Sequence, residues 1–105
     1  MMDTELLNGY LDHLKASGLK TFGFYRYHLH LFRKWLFRKK LSLAQLNPVL
    51  MNEYLSFRRS AGYHLSTLKV AMIVLRGFFR YAREHGAMTD DPMDGVVCRW
   101  LDVPG

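Results

Sequence analysis

The chain has 105 residues, of which 50% are apolar and 14% aromatic, enough for one packed domain and too many for a disordered chain. Fifteen Lys and Arg against nine Asp and Glu give a net charge of +6, which favours a polyanionic partner. The single cysteine, Cys98, excludes an intramolecular disulfide and a cysteine-based zinc site. The chain starts with acidic residues, and no apolar run approaches the roughly 20 residues of a membrane span. These features predict a soluble cytoplasmic domain with no membrane partner.

The spacing of apolar residues predicts four helices and no strand, so the expected fold class is all-α, a four-helix bundle. Thr4 is expected to cap the first helix, which runs to about Ser17 and is ended by Gly18. Thr21 is the expected cap of the second helix, which runs to about Lys40. Both starts are predicted from a hydroxyl side chain that stands just before an apolar stretch.

The third helix has the most specific start signal. Asn47 followed by Pro48 is a capping residue with a proline at the first helical position, and the predicted helix runs to about Ser60. Ser66 is expected to cap the fourth helix, which ends near His85. An acidic turn follows, and the remaining tail shows no clear periodicity.

The apolar faces of these helices predict a shared core. On the second helix an apolar arc of about 180° contains Phe32, Trp35 and His28, so His28 is interpreted as a core histidine. Leu75 lies on the core face predicted for the fourth helix. Other residues expected to face inward are Phe24 on the second helix and Leu50, Met51, Tyr54 and Phe57 on the third.

Basic residues are concentrated in the middle of the chain. Between His13 and Arg83 there is one acid, Glu53, against fourteen Lys and Arg. The second helix has an acid-free arc, and the fourth aligns four bases within about 60°. These arcs contain Arg26, Tyr27, His30, Arg33 and Lys34 on the second helix and Lys69, Arg76, Arg80 and Arg83 on the fourth. Such aligned bases are typical of a protein that binds phosphate backbones, and a solvated cationic surface without a partner is the alternative.

No catalytic or metal site is predicted. His28 and His30 point about 160° apart on a helix and cannot share a metal ion. The glycine-rich motifs that bind nucleotide phosphates do not occur. The acidic residues after the fourth helix are interpreted as a solvated turn. We therefore expect no catalytic residues, no metal ligands and no cofactor.

Two sets of residues resemble a known family. The first set is Gly18-Leu19, Thr21, Tyr25-Arg26, Leu29, Phe32 and Trp35-Leu36, and the second is Gly62, Ser66-Thr67, Leu75-Arg76, Phe78-Phe79, Tyr81, Gly86 and Asp91-Pro92. Their order and spacing are similar to those of the core-binding domain of tyrosine recombinases, the phage integrase and Xer-type family. The resemblance implies a four-helix, SAM-like orthogonal bundle over residues 1–97 that forms one jaw of a clamp on duplex DNA. It also implies that 98–105 begins a linker to a catalytic domain carrying the nucleophilic tyrosine.

The resemblance also implies which residues touch DNA. Positions at which relatives contact DNA are matched by Thr21, Tyr27, Ser66 and Thr67. With the aligned bases added, the predicted DNA-binding residues are Thr21, Arg26, Tyr27, His30, Arg33, Lys34, Ser66, Thr67, Lys69 and Arg76. Gly23 and Val70 depart from the family pattern, because relatives often carry a longer polar residue at the first position and Arg or Gln at the second. Arg58 and Arg59 on the third helix are expected to face solvent, away from the duplex.

The leading interpretation is a DNA-binding module of a site-specific recombinase, which binds double-stranded DNA and, in the full-length protein, lies beside other recombinase protomers. The isolated domain is expected to be monomeric. It is also expected to be catalytically inert, because all six tyrosines belong to the helical region and none is a candidate nucleophile. The alternative is a helical protein–protein interaction module that docks a partner through exposed Tyr27, Phe37 and Ile73. An RNA-binding bundle is a third interpretation, disfavoured because exposed aromatic residues are sparse.

Overall fold

The computed structural model of the protein describes residues 2–94 and 96. Four helices follow one another: α1 (Met2–Ala16), α2 (Phe22–Lys39), α3 (Pro48–Ser60) and α4 (Leu65–Glu84). A short 3₁₀ turn, Leu43–Gln45, lies between α2 and α3. The described residues contain no strand, which confirms the predicted all-α fold with four helices. Cys98 and the predicted linker 98–105 lie outside the described residues.

Several predicted helix boundaries are confirmed. The side-chain oxygen of Asn47 accepts a hydrogen bond from the backbone N–H of Leu50 at 2.9 Å, and Pro48 is the first residue of α3. Left-handed backbone follows α1, α3 and α4 at Gly18, Gly62 and Gly86, with φ of 75°, 98° and 75°. Glycine adopts this conformation without steric cost, so these positions end the helices as the sequence predicts.

The predicted caps of α1 and α4 are wrong. Helix α1 already begins at Met2, so Thr4 lies inside its first turn. In α4 the extended residue before the helix is His64, with ψ of 156°, and Ser66 is the second helical residue. Thr21 does lie at the cap position of α2, but its side chain makes no capping hydrogen bond. A hydroxyl residue near a helix start therefore did not determine the start here.

The core is an aromatic cluster shared by α2, α3 and α4. Phe32, Trp35 and Leu75 are 1%, 3% and 1% exposed, as predicted, and His28 is also buried. The ring of Phe32 lies with its centroid 5.1 Å from that of Tyr54 on α3 and 5.8 Å from that of Phe79 on α4. This cluster fixes α2 against the other two helices and leaves its opposite side to solvent.

Two pairs of glycine and tyrosine bring α1 close to α4. A Cβ atom on Gly77 of α4 would lie 2.6 Å from the Tyr10 hydroxyl oxygen of α1, and one on Gly9 would lie 3.1 Å from the Tyr81 hydroxyl. The Tyr10 and Tyr81 rings are 5.0 Å apart between centroids. Burial raises the pKa of Tyr10 to about 12, so its hydroxyl stays neutral. The buried Tyr10 ring occupies the space beside Gly77 and would have to shift if this residue carried a Cβ atom.

The apolar faces are not predicted correctly everywhere. Phe24 and Phe57 were expected to face inward and are 61% and 40% exposed. Phe24 lies in the first turn of α2, and Phe57 lies beside the guanidinium of half-buried Arg58. Leu55 and Val74, which were not predicted, are fully buried. In the part of the chain that the structure describes, we find no helix of the length and apolarity needed to cross a membrane.

Candidate nucleic-acid interface

The exposed side of α2 carries a cluster of cations around one histidine. Arg26, Arg33 and Lys34 are exposed, and His30 is half-buried. The pKa of His30 is lowered, first by burial and then by the positive charges of Arg33, Arg26 and Lys34. Arg26, Arg33 and Lys34 lie three or four residues from His30, so all four side chains share one face of the helix. We call Arg26, His30, Arg33 and Lys34 the α2 stripe.

The ion pairs of the described residues lie outside this stripe. Among the described residues, ion pairs join Lys39 to Glu53 at 2.8 Å and Arg83 to Asp91 at 3.8 Å. Neither pair includes any of the ten predicted DNA-binding residues. In the described part of the chain, these ion pairs therefore lie at the C-terminal ends of α2 and α4, and neither involves Arg26, Arg33 or Lys34.

The starts of α2 and α4 share a second property. Neither helix has a side-chain cap or an acidic residue in its first turn. Their first backbone N–H groups therefore keep the partial positive charge of a helix N-terminus. In α4, Ser66 and Lys69 are exposed and Thr67 is half-buried at this end. Polar side chains and backbone donors thus coincide where an anion would be stabilised.

A pair of tyrosines connects these two regions. The hydroxyl oxygens of Tyr27 on α2 and Tyr63 lie 2.6 Å apart, and Tyr63 stands two residues before the start of α4. This hydrogen bond is the main cause of the raised pKa of Tyr27. It holds Tyr27 against the turn that leads into α4, the helix whose first turn contains Ser66 and Thr67. Tyr63 was not predicted, although its position directly after the Gly62 turn is visible in the sequence.

Arg58 does not face solvent as expected. It is half-buried, and its Nη2 donates a hydrogen bond to the Leu31 carbonyl oxygen of α2 at 3.2 Å. Its guanidinium carbon lies 5.4, 5.1 and 5.9 Å from the ring centroids of Tyr54, Phe57 and Tyr63. Cations are attracted to aromatic faces at these distances. The prediction failed because helix periodicity does not show that three aromatic rings from two segments surround this residue. Arg59 is exposed.

The remaining predicted residues are less closely connected. Thr21 is exposed just before α2, and Arg76 is exposed on α4. Among the described contacts, none joins Lys69 or Arg76 to the α2 stripe. The described residues contain no group of three His, Cys, Asp or Glu able to hold a metal ion. The chemistry available at this surface is the binding of anions through cations, hydroxyl groups and helix starts.

Comparison with known proteins gives the family. Residues 3–86 match the family described as phage integrase, N-terminal SAM-like domain. The chain belongs to this family. The match spans α2, α3 and α4 to their ends and nearly all of α1. The resemblance predicted from the two sets of residues is thereby confirmed.

Relatives of this SAM-like domain include tyrosine recombinases XerD. The XerD of Pseudomonas putida is 32% identical over 106 aligned positions and that of Pseudomonas aeruginosa 29%, each alignment covering 98% of this chain and 36% of the relative. The XerD of Pasteurella multocida is 26% identical over 88% of this chain and 32% of its own length. The chain thus spans about a third of the length of these relatives. No solved structure matches it.

Proposed function

We propose that this chain binds duplex DNA as the N-terminal clamp domain of a site-specific tyrosine recombinase. The observation that carries the proposal is the exposure of Arg26, Arg33 and Lys34 on one side of α2, each about one helical turn from His30 and outside the ion pairs of the described residues. Gathering like charges is unfavourable in the free protein unless a partner supplies the counter-charge. A DNA backbone supplies it at regular spacing, and the released counterions favour binding.

The starts of α2 and α4 support the same partner. Uncapped N–H groups at a helix start donate to phosphate oxygens and fix the position of a protein on the duplex. Base edges would be contacted by side chains near these starts, which are Tyr27 and Thr67. We therefore assign affinity to the cations and sequence preference to Tyr27 and Thr67.

A comparison within α2 tests the proposal. Lys34 and Lys39 lie on the same helix but about 140° apart around its axis, and Lys39 is paired with Glu53. Lys34→Ala is expected to weaken binding to all duplexes alike and to make the dependence of log K on log salt shallower by about one unit. Lys39→Ala is expected to leave both nearly unchanged. Fluorescence anisotropy with labelled duplexes measures both quantities, and equal effects of the two variants would show that only the net charge acts.

The same design applies to α4. Lys69 is exposed near the start of this helix, whereas Arg83 lies in its last turn and is paired with Asp91. Lys69→Ala is expected to weaken duplex binding and its salt dependence in the same way as Lys34→Ala. Arg83→Ala is the control and is expected to leave both nearly unchanged. Thr67→Val is expected to change the ranking of duplex sequences rather than the salt dependence, which selection from a random duplex library measures.

The whole protein is inferred to carry out site-specific recombination, and this chain is inferred to bind DNA without cutting it. The matched family describes an N-terminal domain, and the XerD relatives are about three times longer than the aligned region. Incubation of the chain with a suicide DNA substrate is expected to give no covalent adduct. An adduct that resists denaturing electrophoresis would contradict this inference.

A protein-interaction module is the competing function. Phe37 and Ile73 are 79% and 60% exposed, and exposed apolar side chains of this size are usual in protein interfaces. Phe37→Ser and Ile73→Ser leave every cation of the α2 stripe in place. The competing function predicts that the chain shows no salt-dependent binding to duplex DNA, and that a protein partner is bound with little dependence on salt and is released by Phe37→Ser and Ile73→Ser.

A further inference from the structure

Arg58 connects three segments that the sequence pattern treats separately. It belongs to the last turn of α3, donates a hydrogen bond to Leu31 in the middle of α2, and lies against the ring of Tyr63 in the turn before α4. The Leu31 carbonyl is a helix acceptor, so the Arg58 bond is an additional one that fixes α3 against α2. Arg58 Nε is buried without a hydrogen-bond partner in the described residues. The guanidinium is held by the Leu31 carbonyl, by the aromatic ring faces and by a side-chain hydrogen bond with Tyr54.

Tyr63 connects Arg58 to the candidate interface. The guanidinium carbon of Arg58 lies 5.9 Å from the centroid of the Tyr63 ring, and the Tyr63 hydroxyl shares a hydrogen bond with the Tyr27 hydroxyl on α2. Tyr63 also follows Gly62, whose φ of 98° sets the direction of the chain into α4. The positions of the Tyr27 side chain and of the first turn of α4 therefore both depend on where Tyr63 lies.

We propose that Arg58 is a positioning residue that holds Tyr63, and through it Tyr27 and the start of α4, in the arrangement used to bind DNA. The second half of this statement rests on the proposed function, and the first half does not. Arg58 itself touches no DNA in this account. It acts by lowering the cost of ordering two aromatic side chains and one helix start at the moment of binding.

The role requires an arginine rather than any cation. A guanidinium is planar, so it can lie against aromatic rings and still donate in a fixed direction to the Leu31 carbonyl. A lysine keeps the charge but has no planar group to lie between Tyr54, Phe57 and Tyr63. Arg58→Lys therefore separates the shape of the side chain from its charge.

The first test uses the free protein. In the wild-type chain, NMR is expected to show nuclear Overhauser contacts between the ring protons of Tyr27 and Tyr63. Arg58→Lys is expected to lose or strongly weaken these contacts while far-UV circular dichroism stays helical. Unchanged contacts in Arg58→Lys would overturn the positioning role, whatever the chain does with DNA.

The second test uses a duplex selected by the wild-type chain from a random library. Arg58→Lys and Tyr63→Phe are both expected to bind it about three- to tenfold more weakly, with the salt dependence unchanged. Tyr63→Phe removes only the hydroxyl group, so it tests the same link if Arg58→Lys is poorly folded. Arg58→Gln is also expected to keep the wild-type salt dependence, and a value shallower by about one unit would overturn the proposal by showing a direct phosphate contact. If the wild-type chain selects no duplex, the proposed function fails, and the NMR test still decides the positioning role.

Discussion

The two sides of α2 are built from different chemistry. The inner side carries Phe32 and Trp35, which are 1% and 3% exposed and pack against aromatic rings of α3 and α4. The outer side carries the α2 stripe, in which cations act on one histidine without a carboxylate partner in the described residues. One helix thus separates stability from the proposed binding. Substitutions on the inner side should change the free energy of unfolding. Substitutions on the outer side should change the affinity for DNA.

The largest expected effect is on the inner side. Phe32→Ala removes a fully buried ring from the centre of the aromatic cluster and is expected to lower the free energy of unfolding by ~3–5 kcal/mol. Urea unfolding followed by circular dichroism measures the loss. Arg33→Ala, the next residue on the helix, is expected to change stability by less than about 0.5 kcal/mol. A similar loss in both variants would contradict the separation of the two sides.

A substitution at the contact between α1 and α4 is expected to have the next largest effect on the free energy of unfolding. Gly77→Ala would place a Cβ atom 2.6 Å from the Tyr10 hydroxyl oxygen. It is expected to lower the free energy of unfolding by up to about 2 kcal/mol, because roughly 1 kcal/mol of helix propensity offsets part of an overpacking cost of about 1–3 kcal/mol. Gly23→Ala, in the first turn of α2, meets no atom within 4 Å and is expected to be neutral or slightly stabilising. Thermal unfolding of the two variants distinguishes a packing requirement from a general effect of glycine.

The titration of His28 and His30 tests the difference between the inner and outer sides of α2. Burial lowers the pKa of both, but the further cause is Arg58 for His28 and the stripe cations for His30. Lys34→Ala is therefore expected to raise the pKa of His30 and leave that of His28 unchanged. Added duplex DNA is expected to raise the pKa of His30 as well, because phosphates favour the protonated ring. NMR titration of the imidazole protons measures each group, and parallel shifts of both would contradict the account.

The same shifts determine how stability depends on pH. Both histidines have a lower pKa in the folded than in the unfolded chain, whose value is near 6.5, so the unfolded chain binds more protons in that range. The free energy of unfolding is therefore expected to decrease as the pH falls through 6.5 towards the folded-state values. His28→Gln is expected to make this decrease smaller. If the double variant His28→Gln/His30→Gln shows the same decrease as the wild-type chain, the pH dependence of stability comes from other groups.

Much of the fold could be predicted because it follows from local patterns. Helical spacing of apolar residues located the four helices, and Asn47-Pro48 and the three glycines marked ends that the structure reproduces. The caps at Thr4 and Ser66 were wrong because a helix can begin without a side-chain cap when its first turn is stabilised by packing or by water. The buried position of Leu55 could not be predicted because it depends on how α3 is placed against its neighbours.

The candidate interface shows the same division. The α2 stripe could be predicted because its members lie on one helix face at known spacing. Tyr63 and Arg58 could not, because the Tyr27–Tyr63 bond joins residues 36 positions apart and the Arg58–Leu31 bond joins residues 27 apart. Their roles depend on tertiary contacts, for which the sequence pattern contains no signal.

The central claim is that the cations gathered at this surface bind phosphates. The most direct test is the affinity of the wild-type chain for a random-sequence duplex of about 30 base pairs, measured at several salt concentrations. If Arg26, Arg33, Lys34, Lys69 and Arg76 each neutralise one phosphate, log K falls linearly with log salt with a slope of about −4.5. Binding that does not change with salt, or no binding at low salt, would contradict the account.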